Sequence, residues 1–428
     1  MILKKLIKNY LPFLILSFLT IYFSFNYLEK RYYGVIFSDS EGYYMYLPAI
    51  FIYDGFENVP VQTKQQYEAY PGTEKIFTKY TYGVALLQLP FFLTAHILAP
   101  KFNYPQDGFS IPYRIGIMMA AAFYLLFGLL LLFRILRRTY SYLTSTAVVL
   151  MLFAGTNLYY YTIGAPGSAH VFTFFLISLF IYYTPVFLNS NKWKHLFLYT
   201  LLFVFITLSR PTNILIILYP LMYNITSWTS LRDRMKKYIF NAKNLLVIIA
   251  AIFIVLLPQS IYWFYISGKW LMYSYTGEGF IYWKDPKIGK VLFGVWNGWF
   301  IYTPLALFFV FGLLLMWRKN VQNARPILII LVIATFLFAS WWTWWFGGCF
   351  GHRCYVDFYG FMIFPLAFIF DNIIRKKNLV LKYGTLLIMA FFVYLNLYFT
   401  YAYEAPWDGL KWTWKDYREL YINMLSNS

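Results

Sequence analysis

Arg114-Ile-Gly-Ile-Met-Met-Ala-Ala-Ala-Phe-Tyr-Leu-Leu-Phe-Gly-Leu-Leu-Leu-Leu-Phe-Arg134 carries no charge between its two arginines. A helix of about 20 such residues, rising about 1.5 Å per residue, spans the roughly 30 Å of a bilayer's hydrocarbon. A helix half-exposed to water would show a polar face, and this stretch has none. Similar runs recur at 9–28, 82–99, 141–162, 169–188, 195–226, 245–266, 296–317, 326–346, 358–373 and 383–402. Across the 428 residues, 61% are hydrophobic and only 12% charged, about half the charge of an ordinary globular domain. The 42 tyrosines and 45 phenylalanines cluster where apolar runs end, as interfacial belts do. The expected fold is therefore all-α, a polytopic integral membrane protein with about 11 transmembrane helices. The chain reads as one transmembrane domain over 1–428, with long polar loops only at 29–80 and 267–295 and a tail at 403–428.

A formal net charge of +19 would suggest nucleic acid in a soluble protein. Here the basic residues sit in short loops, such as Arg134–Arg138 and Arg375–Lys377, where cytoplasmic loops meet anionic lipid. Nucleic acid is accordingly not an expected partner, and membrane lipids are. Lys4, Lys5 and Lys8 precede the first apolar run without a small-x-small cleavage site, which predicts a retained first helix with its N-terminus inside. Alternation then puts 267–295, 347–357 and the tail outside. Loops 29–80 and 100–113 cannot both be outside if every run crosses. Either 82–99, broken at Pro90, dips in without crossing, or 195–226 does not turn back at Pro211. The first resolution is preferred, since irregular backbone is tolerated where it lines a cavity.

Only 17 residues are acidic, so their positions carry information. Asp39 and Glu41 follow the first helix in Phe37-Ser38-Asp39-Ser40-Glu41-Gly42-Tyr43-Tyr44, and ionisable groups at a membrane edge are costly and usually functional. In a helix the pair would point about 200° apart, and in a strand they would share a face. Either could act as general base while the other orients it or holds a metal; the plainer reading is that both solvate a loop end. His170, at the start of the 169–188 run, could meet a phosphate or hydroxyl. Arg210 interrupts an apolar run in Ser209-Arg210-Pro211 and suits a lipid phosphate. The densest segment is Trp341-Trp342-Thr343-Trp344-Trp345-Phe346-Gly347-Gly348-Cys349-Phe350-Gly351-His352-Arg353-Cys354-Tyr355-Val356-Asp357. There Arg353 and His352 could bind phosphate and the tryptophans could stack on a sugar. Cys349, His352 and Cys354 match no strong zinc spacing, and the two cysteines could pair, stay free or bind metal. In the topology above, Asp39, Glu41, His170, Arg210 and Arg353 all fall on the outer face.

These motifs resemble those of the bacterial GT-C glycosyltransferases, relatives of protein O-mannosyltransferases and of the lipid A aminoarabinose transferase. The likeness covers most of the chain. It rests on Asp39-Ser40-Glu41-Gly42-Tyr43-Tyr44, on Lys79-Tyr80-Thr81-Tyr82-Gly83, on Gly155-Thr156-Asn157 through His170, on Ser209-Arg210-Pro211, and on Trp344-Trp345-Phe346-Gly347-Gly348 through Gly351-His352-Arg353. The resemblance implies a GT-C-like fold whose outer first loop carries juxtamembrane helices. It implies a cytoplasmic-membrane enzyme of the bacterial cell envelope with its active site on the periplasmic side. It also implies a polyprenyl-phosphate sugar as donor and Asp39 as the acidic residue that activates a periplasmic acceptor. Lys79 falls where the aminoarabinose transferases have a Lys-Pro-Pro motif that contacts the donor phosphate; both prolines are absent here.

The function expected is inverting transfer of one sugar from that donor to a lipid, glycan or protein. Asp39 is the base and Glu41 its helper or a ligand to a divalent cation, no other cofactor being implied. Arg210, His170, Arg353 and Lys79 are candidates for the donor phosphate, and Tyr43, Tyr44, Trp345 and His352 for the substrate pocket. Two rivals remain. A transporter or flippase of a lipid-linked sugar would favour repeats and mid-membrane charges; no repeat is visible, and the acidic pair sits at a helix end. A glycan polymerase or ligase would take a lipid diphosphate donor instead. A structural scaffold offers no reason for ionisable groups gathered on one face.

Overall fold

A computed structural model describes residues 2–64, 66–190, 192–238, 241–404 and 406–426. Among these the structure is helical, its only β feature being an isolated antiparallel bridge between Ala69 and Ile76. Six helical stretches are long and apolar enough to cross a membrane: Gly83–Phe102, Ile111–Leu136, Ala169–Leu188, Ala242–Ser267, Arg353–Ile374 and Leu379–Ala402. Shorter apolar helices lie at Pro12–Tyr27, Tyr142–Ala154, Trp193–Ser209, Pro211–Met222, Ala306–Arg318 and Ala324–Ser340. The chain is thus an all-α protein with the helices of a membrane protein. Large side chains on Ala242–Ser267 face outward, with Leu246 68% and Phe253 62% exposed, an arrangement suited to lipid and unsuited to water.

Two expectations need correction. Pro90 does not break its run: Gly83–Leu98 is one helix with Pro90 inside, and Thr94 Oγ1 donates back to the Pro90 carbonyl at 2.8 Å. Apolar packing of Phe92 and Ala95 holds a helix that lacks a single amide donor. Like 141–162 near Gly155 and 296–317 near Thr303, the run 195–226 is interrupted. Its first helix, Trp193–Ser209, ends at an extended Arg210 (φ −150°, ψ 112°). A tight turn at Pro211–Ile217 and a short helix at Leu218–Met222 follow. The side chains of Lys4, Lys5 and Lys8 lie outside the described residues.

Two units partition the chain. The first comprises residues 1–128, 161–214 and 235–277, and the second 129–160, 215–234 and 278–428. In the first, Trp193–Ser209 packs along Ala242–Ser267 and Ala169–Leu188. The polar stretch 29–80 holds two short helices, Asp39–Tyr44 and Tyr46–Phe51. In the second, Ala306–Arg318 packs on Tyr359–Ile374. They meet so closely that a Cβ on Gly312 would lie 2.5 Å from the Pro365 carbonyl oxygen, the close backbone approach that small residues allow.

Candidate functional site

The first unit gathers four of the segments singled out in the sequence. Asp39 and Glu41 lie in the short helix Asp39–Tyr44, entered through Ser38 at φ 52°, ψ −129°. That conformation is costly for a residue with a Cβ, and three bonds hold it. The Ser38 amide donates to Thr63 Oγ1 at 3.1 Å, its hydroxyl to Gln66 Oε1 at 2.9 Å, and its carbonyl accepts from Tyr67 Oη at 2.7 Å.

Glu41 is 1% exposed. Its Oε1 accepts the Gln62 amide at 2.5 Å and its Oε2 the Thr63 amide at 2.9 Å. Both oxygens are therefore engaged by the backbone of the loop that braces Ser38. Gln62 is held in turn by the buried Arg114, whose guanidinium donates to Gln62 Oε1 at 2.8 Å and to the Phe109 carbonyl at 2.9 Å. A metal-ligand role for Glu41 does not fit this geometry. Among the described residues no group of three or more His, Cys, Asp or Glu is placed to hold a metal ion.

Asp39 is half-buried. Its Oδ1 accepts the Tyr80 hydroxyl at 2.5 Å and lies 3.5 Å from Gln66 Nε2. Burial first, and then the charge of Asp39, push the Tyr80 phenol well above its usual range, so it stays a donor. Tyr43 packs on Tyr80 with ring centroids 4.3 Å apart. Tyr44 takes a packing role instead of a pocket role, because its hydroxyl donates to the Gly108 carbonyl at 2.5 Å and its ring meets Phe92 and Phe109. The Lys79 ammonium sits 5.7 Å from the Tyr80 ring centre and 5.2 Å from that of Tyr275, within cation–π reach.

His170, 2% exposed, opens the helix Ala169–Leu188, and Arg210 follows Trp193–Ser209. Arg210 Nη1 lies 2.9 Å from both ring nitrogens of His170, so either neutral tautomer offers it an acceptor. The loop before His170 abuts the acidic helix: a Cβ on Gly167 would lie 2.7 Å from Ser40 Cβ and from the Val35 carbonyl oxygen. The Lys79–Gly83 segment joins the same cluster. Thr81 Oγ1 donates to the Leu208 carbonyl at 2.6 Å, and a Cβ on Gly83 would lie 2.4 Å from Ser209 Oγ. Asn213, fully buried, donates its amide to the Arg210 carbonyl at 2.9 Å, while its carboxamide makes no hydrogen bond among the described residues.

The second unit holds the tryptophan-rich segment. Trp345 Nε1 donates to Asp408 Oδ2 at 2.9 Å. His352 is fully buried among Phe338, Phe346 and Tyr355, with Nε2 3.1 Å from the Trp344 carbonyl oxygen. Arg353 is half-buried at the start of a tight turn running to Phe358. Cys349 and Cys354 are buried, and Asn297 Nδ2 braces the loop at Trp345 O, Gly347 O and Cys349 Sγ. The tail packs into this unit through Trp407, 4% exposed and stacked on Trp412.

The sequence alone gave no role to Tyr80, though it lies in the Lys79–Gly83 motif, and missed Tyr67, Gln66, Thr63 and Arg114. Of the missed residues only Arg114 left a signal, a charge at the mouth of an apolar run. Compared with known proteins, the sequence matches no protein-family model and no curated protein.

Proposed function

We propose that this chain is an inverting glycosyltransferase of the GT-C kind, in the bacterial cytoplasmic membrane with about 11 crossings and its site on the periplasmic face. One observation carries the reading. A half-buried carboxylate, Asp39, is oriented by a phenol in the same unit as an arginine–histidine pair, and the loop before that pair packs on Ser40. That grouping supplies a base and a cation suited to a phosphate leaving group.

In the proposed step Asp39 takes the proton of the acceptor hydroxyl. The acceptor oxygen forms a bond to the sugar's anomeric carbon from the face opposite the carrier. The bond from that carbon to the phosphate oxygen breaks, and its electron pair leaves with the polyprenyl phosphate. Arg210 offsets the charge that grows there, with Lys79 as a further candidate. Asp39 then returns its proton to water. Glu41 serves the site by holding the 59–67 loop, since both its oxygens are engaged. Asn213 adds a buried carboxamide beside Arg210 that a substrate oxygen could satisfy.

The test uses the whole protein in lipid nanodiscs with labelled polyprenyl-phosphate sugars and an acceptor extract. Wild type should release free polyprenyl phosphate, and folded Asp39→Asn should lose at least a hundredfold in rate, a general base contributing about 10² to 10⁴. Equal release by both would remove Asp39 as base. Release by neither would turn the reading towards a lipid diphosphate donor or towards transport.

A further inference from the structure

Tyr80 is held more firmly than a tyrosine on a loop needs to be. Its ring is 6% exposed, packs on Tyr43 and meets Tyr275 edge-on at 6.4 Å. Its carbonyl accepts the Tyr46 hydroxyl at 2.7 Å, and its amide donates to Thr78 Oγ1 at 3.3 Å. Room for the ring comes from Gly42, where a Cβ would lie 2.4 Å from Tyr80 Cδ2. The result of this bracing is a hydroxyl set 2.5 Å from Asp39 Oδ1, at the short end of hydrogen bonds to a carboxylate.

We infer that Tyr80 is the positioning residue for Asp39: its hydroxyl keeps the carboxylate ionised and fixes the direction in which it receives the acceptor's proton. The inference rests on the reading of Asp39 as base. A donor aimed at a charged form favours that form. The other groups around Asp39 divide. Glu41, on the same helix, disfavours a second negative charge, and Lys79 beside Tyr80 favours it. Tyr43 on that helix, Tyr67 from the 59–67 loop and Tyr275 beyond Ala242–Ser267 are neutral near pH 7. His170 and Arg210 flank the loop that packs on Ser40. Without the Tyr80 hydroxyl, the charged form of Asp39 loses a short hydrogen bond.

The test compares wild type, Asp39→Asn and Tyr80→Phe, all full-length in nanodiscs. Tyr80→Phe keeps the ring and its packing. Infrared titration follows the protonated-carboxyl band that Asp39→Asn removes, and so reads Asp39 directly. The expected result is a midpoint about one to two pKa units higher in Tyr80→Phe. The acid limb of its kcat/KM profile should rise by the same amount. A merely structural role would lower the rate at every pH without moving either midpoint, and an unmoved infrared midpoint overturns the inference. If Asp39→Asn transfers sugar normally, the base reading fails alone, because the infrared shift still decides whether Tyr80 governs Asp39.

Discussion

Replacing Glu41 by glutamine should open the 59–67 loop. In the folded protein Glu41 is buried and receives two backbone amides, at 2.5 Å from Gln62 and 2.9 Å from Thr63. Hydrogen bonds to a charged acceptor contribute about 1.5–3 kcal/mol each. Glutamine keeps one acceptor oxygen and turns an NH2 towards the other amide, so one bond is lost and one N–H is stranded. The cost is about 2–3 kcal/mol, which raises the population of an opened loop about 30- to 150-fold. The loop contains the exposed Lys64, where trypsin cuts once the backbone is released. When reclosing is faster than cutting, the rate follows the open population. Cleavage after Lys64 should therefore quicken by that factor in Glu41→Gln, while Glu68→Gln, at an exposed carboxylate nearby, stays at the wild-type rate. The loop also braces the strained Ser38, so transfer activity should fall with it. A Glu41→Gln protein cut at the wild-type rate would refute the assignment of Glu41 as the loop's clamp.

Two further outcomes follow from the same unit. Gly42→Ala would place a Cβ 2.3 Å from Tyr67 Oη and 2.4 Å from Tyr80 Cδ2. Overpacking of this kind costs about 1–3 kcal/mol, so a lower melting temperature and a larger loss of transfer are expected, and an alanine variant equal to wild type in both would contradict the packing. Glu57 accepts the Tyr265 hydroxyl at 2.6 and 2.7 Å, and that bond holds its carboxyl below the usual carboxylate range. A lowered folded value stabilises above the unfolded value of about 4.3, and the gain is lost as pH falls through the folded one. Wild type should thus melt slightly above Glu57→Gln near pH 7 and converge with it in acid, the difference being small because Glu57 is exposed to solvent. Melting curves that stay parallel down to about pH 3 would exclude the clasp.

Six membrane-length helices were legible because apolar runs of that length have few alternatives. Pro90 was not, because a proline marks a break only when neighbours fail to pack its helix, and Phe92 and Ala95 are both buried here. The meeting of His170 with Arg210 was within reach of simple geometry. Ala169–Leu188 and Trp193–Ser209 are consecutive helices joined by residues 189–192. A chain that runs down one and back along the other, each about 25–30 Å long, returns the start of the first to the end of the second. The partners of Asp39 carry no such mark. Tyr80 is one of 42 tyrosines and stands out only as a member of the Lys79–Gly83 motif, and Gln66 is a neutral residue in a polar loop.

The division of labour between the two carboxylates was not legible either, and its cause is local. Asp39 and Glu41 stand two residues apart, equivalent in charge and in rarity. An extended backbone would have presented both on one face, as a pair sharing one task. The backbone is helical from Asp39 to Tyr44, and two residues of helix turn about 200°. One carboxylate is therefore carried inward, where two amides close on it and remove it from solvent. The other is left half-buried against a phenol that stays protonated. Acid–base roles separate when environments separate. A backbone bond to each oxygen suits a clamp and leaves little for a substrate proton. A partly exposed carboxylate with a short bond from a phenol suits the base of the proposed reaction, while Glu41 braces the loop.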